Sequence, residues 1–141
     1  MKTNFLKVTL IALVTLISFS CSSDDSSSEE TSGGSSTTTN TWVKLTAITS
    51  TGVKKPNYII MMFDQPVTSS SALPPIKKQV TTDADGLAYF DLNTMITSTT
   101  PTTYYFEAFV QDGANYVWKS VSHPTYNIAK GQMITSSIIV N

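Results

Sequence analysis

Three features of this chain have side chains of the right kind for chemistry: one cysteine, one histidine and the aspartate pair Asp83 and Asp85. Cys21 and His123 are each the only residue of their type in 141 residues. One thiol cannot close an internal disulfide, and one thiol with one imidazole cannot complete a zinc site. Asp83-Ala84-Asp85-Gly86 has the look of half a calcium loop. In the twelve-residue loop pattern, however, Thr81 would fall at the first ligand position and Leu92 at the last, and neither supplies a carboxylate. The four residues read better as a tight turn. A hydrolase needs a nucleophile, a base and an orienting group in register. Serines abound, but His123 precedes Pro124 in a loop with no acid close by in sequence. Paired carboxylates for glycoside hydrolysis would have to come from the acids beyond residue 40. Of these, Asp64, Asp83, Asp85 and Asp112 sit at strand ends or turns. No catalytic residue and no cofactor is assigned, and the chain reads as a non-enzyme.

Composition narrows the partners. Net charge is −1 and only 13% of residues are charged, about half the usual share, so hydroxyls solvate much of the surface. All nine cations are lysines. Arginine is the usual bidentate reader of phosphates and guanine edges, and its absence argues against a nucleic-acid partner.

Cys21 lies at a seam. Lys2 and Lys7 flank a basic start, and Val8 to Phe19 (VTLIALVTLISF) is a short apolar run. A membrane-spanning helix needs about 20 such residues, so this run fits a secretory leader. The junction Ser18-Phe19-Ser20-Cys21 resembles a bacterial lipoprotein signal of the Bacteroidetes type, in which cleavage leaves a lipid-bearing cysteine first. The resemblance implies a leader over residues 1–20 and palmitate-like acyl chains on Cys21. Each buried methylene contributes ~0.8 kcal/mol, so several chains would hold the protein on a membrane.

Residues 22–40 (SSDDSSSEETSGGSSTTTN) carry four acids and no large apolar side chain. Such a segment cannot bury enough surface to offset ordering its backbone. Residues 21–40 are therefore expected to be a flexible linker, reaching roughly 25 Å. Asp24, Asp25, Glu29 and Glu30 also resemble the acidic export signal that follows the lipidated cysteine in Bacteroidetes surface lipoproteins. That likeness implies the cell-surface side of the outer membrane, with its periplasmic side as the alternative.

Residues 41–141 should form the domain. Seven β-rich runs are read: Thr41 to Thr49, Tyr58 to Asp64, Ile76 to Thr82, Gly86 to Leu92, Thr103 to Gln111, Tyr116 to Ser122 and Met133 to Val140. No helical period is convincing. The apolar run YIIMMFD suits a strand buried on both faces, and the lysine-rich IKKQVTT suits an edge. Asp-Gly pairs at 85–86 and 112–113 mark turns in which glycine takes a positive φ at little cost. All six prolines fall between runs. The expectation is an all-β fold, a single antiparallel sandwich of about seven strands.

TTDADGLAYFDL followed by TYYFEAFV resembles the transthyretin-like (prealbumin-like) sandwiches, namely carboxypeptidase regulatory-like domains and CnaB-type repeats, through Thr82, Asp83, Gly86, Phe90 and Tyr104. The resemblance implies a passive spacer or binding module. CnaB-type repeats often carry a lysine–asparagine isopeptide bond assisted by a carboxylate, which would here be Lys44, Asn141 and Glu107. Strand parity opposes it, because Ala108 holds the family's acid position and Glu107 lies on the other face.

Aromatics suggest a second possibility. Trp42, Tyr58, Tyr89, Tyr104, Tyr105, Tyr116, Trp118 and Tyr126 are many for one small domain. Most are expected in the core, but Tyr105 with Phe109, or Trp118 with Tyr116, could form an outward pair that binds glycan or protein. The reading is thus a lipid-anchored envelope protein with a non-catalytic structural or binding sandwich. The alternatives are a carbohydrate-binding surface lipoprotein working beside an uptake or degradation complex, and a small hydrolase gathering His123 with a hydroxyl and an acid.

Overall fold

The computed structural model describes residues 39–69 and 71–141. Among them the fold is all-β, with eight strands in two sheets and no helix. The strands are β1 (Trp42–Ile48), β2 (Ile59–Phe63), β3 (Lys78–Thr81), β4 (Leu87–Asp91), β5 (Thr102–Asp112), β6 (Asn115–Trp118), β7 (Thr125–Ile128) and β8 (Met133–Ile139). One sheet runs β4-β1-β8. The other runs β3-β2-β5-β6, with β7 also paired to β5.

Alternation decides what lies between the sheets. Val43, Leu45 and Ala47 of β1 are buried, as are Ala88 and Phe90 of β4 and Ile138 of β8. They form one cluster with Ile60, Met62, Phe106, Ala108 and Ile128 from the other sheet. A shared apolar core between two sheets is consistent with a β-sandwich. Phe90 and Phe106 meet edge-to-face across it, with ring centroids 5.3 Å apart, a favoured aromatic geometry.

β2 is buried on both sides, as its unbroken apolar sequence predicts. Ile60 and Met62 enter the shared core, while Met61 and Phe63 enter a second cluster with Phe109. β3 is an edge strand. Both glycine turns form. Gly86 has φ +72, and a Cβ there would stand 2.9 Å from the Ala47 carbonyl oxygen. Gly113, with φ +58, turns the chain from β5 into β6.

Three expectations are corrected. An eighth strand, β7, follows Pro124; it has only four residues, too few for alternation to stand out. The fold is also not purely antiparallel, because β1 and β8 pair in parallel from Trp42↔Met133 to Ile48↔Ile139. Hydrophobic periodicity carries no strand direction, so a pairing between the first and last strands leaves no local signature. The run Tyr116 to Ser122 likewise leaves its strand after Trp118 and laces the sheets together. Lys119 N–H donates to the Ala108 carbonyl, and Val121 N–H donates to the Ile139 carbonyl.

Candidate functional site

Each sheet turns one face inward and one outward, and the chemistry-bearing residues lie on the outward faces. On the five-stranded sheet, Tyr105, Glu107 and Phe109 of β5 point away from the shared core. Phe109 is buried with Met61 and Phe63, and Ile59, Val67, Tyr105 and Trp118 pack against them. Val67 comes from the long β2–β3 connection, so that loop helps to roof this face. Both aromatic pairs anticipated from parity belong here. Phe109 is buried, Tyr105 and Trp118 are half-buried and Tyr116 is exposed. Phe109, Tyr105 and Trp118 share a small second core, and Tyr116 meets Phe109 from its rim at 6.3 Å.

Glu107 sits within this roofed face and is only 3% exposed. A buried carboxylate must be compensated, and two donors do so. Trp118 Nε1–H donates to Oε2 at 2.8 Å. His123 Nδ1 lies 2.9 Å from Oε1 and 3.0 Å from Oε2. An ionised carboxylate can only accept, so Nδ1–H is the donor to it, and among the described residues Nε2 of the half-exposed ring makes no hydrogen bond. The Trp118 and His123 rings also lie against each other, with centroids 5.3 Å apart. The geometry is that of an oriented imidazole, assembled from residues 16 apart in sequence.

The Ser120 hydroxyl accepts from Ala108 N–H at 2.6 Å, and the Ser122 hydroxyl accepts from Ile139 N–H at 2.8 Å. Among the described residues no hydroxyl is hydrogen-bonded to Nε2. What the cluster does in view is satisfy Glu107 and hold the 119–124 segment to β5.

The Asp83 turn is equally committed to structure. Asp83 Oδ1 accepts from Asp85 N–H and Leu87 N–H, both at 2.9 Å, while Asp85 pairs with Lys54 at 3.1 Å. Among the described residues no group of three or more potential metal ligands is gathered. The isopeptide trio is dispersed. Glu107 is on the roofed face, Lys44 is on the outer face of the other sheet, and Asn141 accepts a hydrogen bond from Tyr58 through its backbone oxygen. Cys21, Asp24, Asp25, Glu29 and Glu30 lie outside the described residues.

The outer face of the three-stranded sheet is different. With Val43, Leu45 and Ala88 facing inward, Trp42, Lys44 and Tyr89 must face outward. Register aligns Trp42 with Asp91 and Met133, and Lys44 with Tyr89 and Thr135. The Trp42 and Tyr89 rings lie 6.1 Å apart at 48°. Lys44 Nζ stands 4.6 Å from the Trp42 ring centroid and 5.4 Å from that of Tyr89, a cation–π arrangement. Tyr89 is 45% exposed and Met133 is 61% exposed. The sequence carries a signal for this strip, since both strands alternate cleanly and their outward positions hold the aromatics, but only the strand pairing brings them side by side.

No family model matches this chain, and no curated protein matches it.

Proposed function

We propose that this chain is a lipid-anchored protein of the cell envelope, held by acylated Cys21 at the outer membrane on its cell-surface side. Its transthyretin-like domain acts as a non-catalytic binding module. The observation that carries the binding half of this reading is the outward Trp42–Lys44–Tyr89 strip, in which Tyr89 is exposed and Trp42 and Lys44 are half-buried. Exposed aromatic rings offer large, rigid, amphipathic surface at little entropic cost, and a neighbouring ammonium and hydroxyl supply directional polar contacts. Such a surface suits a glycan, whose rings present both C–H faces and hydroxyls. The anchor rests on the position of Cys21 and on the acids Asp24, Asp25, Glu29 and Glu30 that follow it.

Two measurements test the two halves. Mass spectrometry of native material should find a mature chain that begins at an acylated Cys21. Cys21→Ala should release the protein from membranes without detergent; retention of residues before Cys21 would refute the anchor. For the face, glycan-array binding of the full chain should disappear in Tyr89→Ala with its fold intact. Binding that survives there would move the site elsewhere.

A further inference from the structure

We infer that the strip on the three-stranded sheet selects carboxylate-bearing sugars, with Lys44 as the charge reader and Tyr89 as the stacking surface. This rests on the binding-module reading and names its ligand class. Lys44 Nζ is positioned by two rings rather than by an acid. Among the described residues it makes no ion pair, while Lys54 and Lys77 each do. A lysine held over aromatic faces keeps its charge available to a ligand that comes to rest on the same rings.

The acid on this face is Asp91, opposite Trp42. Its Oδ1 is already engaged, accepting from Asn93 N–H at 3.0 Å and from Asn93 Nδ2 at 2.8 Å. Lys78 Nζ reaches the Asp91 carbonyl at 2.6 Å and brings a second ammonium to that end. The strip is therefore net positive. Thr135, in register with Lys44 and exposed, adds a hydroxyl on the other side. A hexuronate matches this layout. Its C–H face can lie on the exposed Tyr89 ring while its carboxylate takes a charge-assisted hydrogen bond from Lys44, and Thr135 stands beside a ring hydroxyl.

The test compares an oligogalacturonate with its methyl-esterified form of equal length, using the full chain in detergent, with chelator present to exclude calcium bridging. Calorimetry should show the acid form binding about tenfold tighter, the size of one charge-assisted contact, with the advantage shrinking as salt rises. Lys44→Gln should erase the difference between the two forms. Tyr89→Ala should weaken both. Equal binding of the two forms by the wild type would overturn the uronate inference and leave the glycan reading standing. Binding of both forms that persists in Tyr89→Ala would overturn the strip as the site. Binding of neither form would overturn the inference, with the array result then deciding the wider reading.

Discussion

The outer faces of the two sheets are built from similar residues and meet solvent in opposite ways. On the five-stranded sheet, Met61, Phe63 and Phe109 are sealed, and even the charge among them, Glu107, is buried and fully bonded. On the three-stranded sheet, Tyr89 and Met133 stay open to solvent beside a half-buried Trp42, and the charge among them, Lys44, lies over ring faces and makes no ion pair among the described residues. The difference lies in what the flanking segments do. The β2–β3 connection folds Val67 over the first face, and the 119–124 segment brings His123 against it. The second face receives no such cover among the described residues. A sealed outer face contributes stability; an open one is available for recognition. That contrast can be broken experimentally.

The largest effect should come from emptying the sealed face. Phe109→Ala removes a buried ring that meets Phe63 at 6.4 Å and Tyr116 at 6.3 Å. It should cost about 3–5 kcal/mol, read as a lowered urea midpoint. Tyr89→Ala on the open face should stay within roughly 1 kcal/mol of wild type, since surface truncations usually do little. Equal losses at the two positions would erase the distinction between the faces.

Gly86→Ala should come next. The positive φ is disfavoured for alanine, and the added Cβ would meet the Ala47 carbonyl at 2.9 Å and Lys55 N at 3.0 Å. Backbone atoms give way less readily than side-chain ends, so a loss of about 2 kcal/mol is expected. Gly113→Ala is its control: φ is also positive there, but nothing lies within 4 Å of the added Cβ. It should cost about half as much, strain without collision.

Glu107→Ala tests whether the buried polar cluster belongs to the seal. It would leave Trp118 Nε1–H and His123 without their acceptor, at about 1–3 kcal/mol. In a Trp42→Phe background, Trp118 fluorescence should shift to the red as the cluster opens. An unchanged spectrum and midpoint would mean that the roof holds without Glu107.

Much of this contrast was legible in the sequence, and the part that was not has a physical cause. Parity along TYYFEAFV correctly separates Glu107 from Ala108, because a strand alternates without regard to its neighbours. The same rule applied to TWVKLTAI and GLAYFDL puts Trp42, Lys44 and Tyr89 on outward positions. It cannot say that those strands are adjacent, so the strip emerges only from the register Lys44↔Tyr89. Cover is harder still. Nothing local to Phe109 announces that Val67, 42 residues earlier in the chain, will lie in its cluster, or that His123 will close on Glu107. The parallel partnership of β1 and β8 is hidden for the same reason: pairing is a property of two segments, and periodicity belongs to one.

The smallest effect concerns the neck of the roofing loop. Asp64 leaves β2 and Lys77 enters β3, and their side chains pair at 2.6 Å, while Lys77 N–H donates to the Met62 carbonyl. The Lys77 hydrogen bond holds the Asp64 carboxyl below its ordinary value of 3.8, partial desolvation opposes this, and the lysine's charge adds to the lowering. A carboxyl whose folded value lies below its unfolded value favours the folded state above the unfolded value. That contribution fades as pH falls through the folded value. The pair is solvent-accessible, so the effect is small and salt-sensitive. Lys77→Met should therefore lower the unfolding midpoint slightly at neutral pH and low salt, and the gap from wild type should close on acidification below 3.8. A gap that stays constant down to acid would mean that the loop is held by packing of Val67 and the backbone bond alone. The roof over the sealed face would then be independent of charge, sharpening its contrast with a strip whose proposed selectivity depends on one.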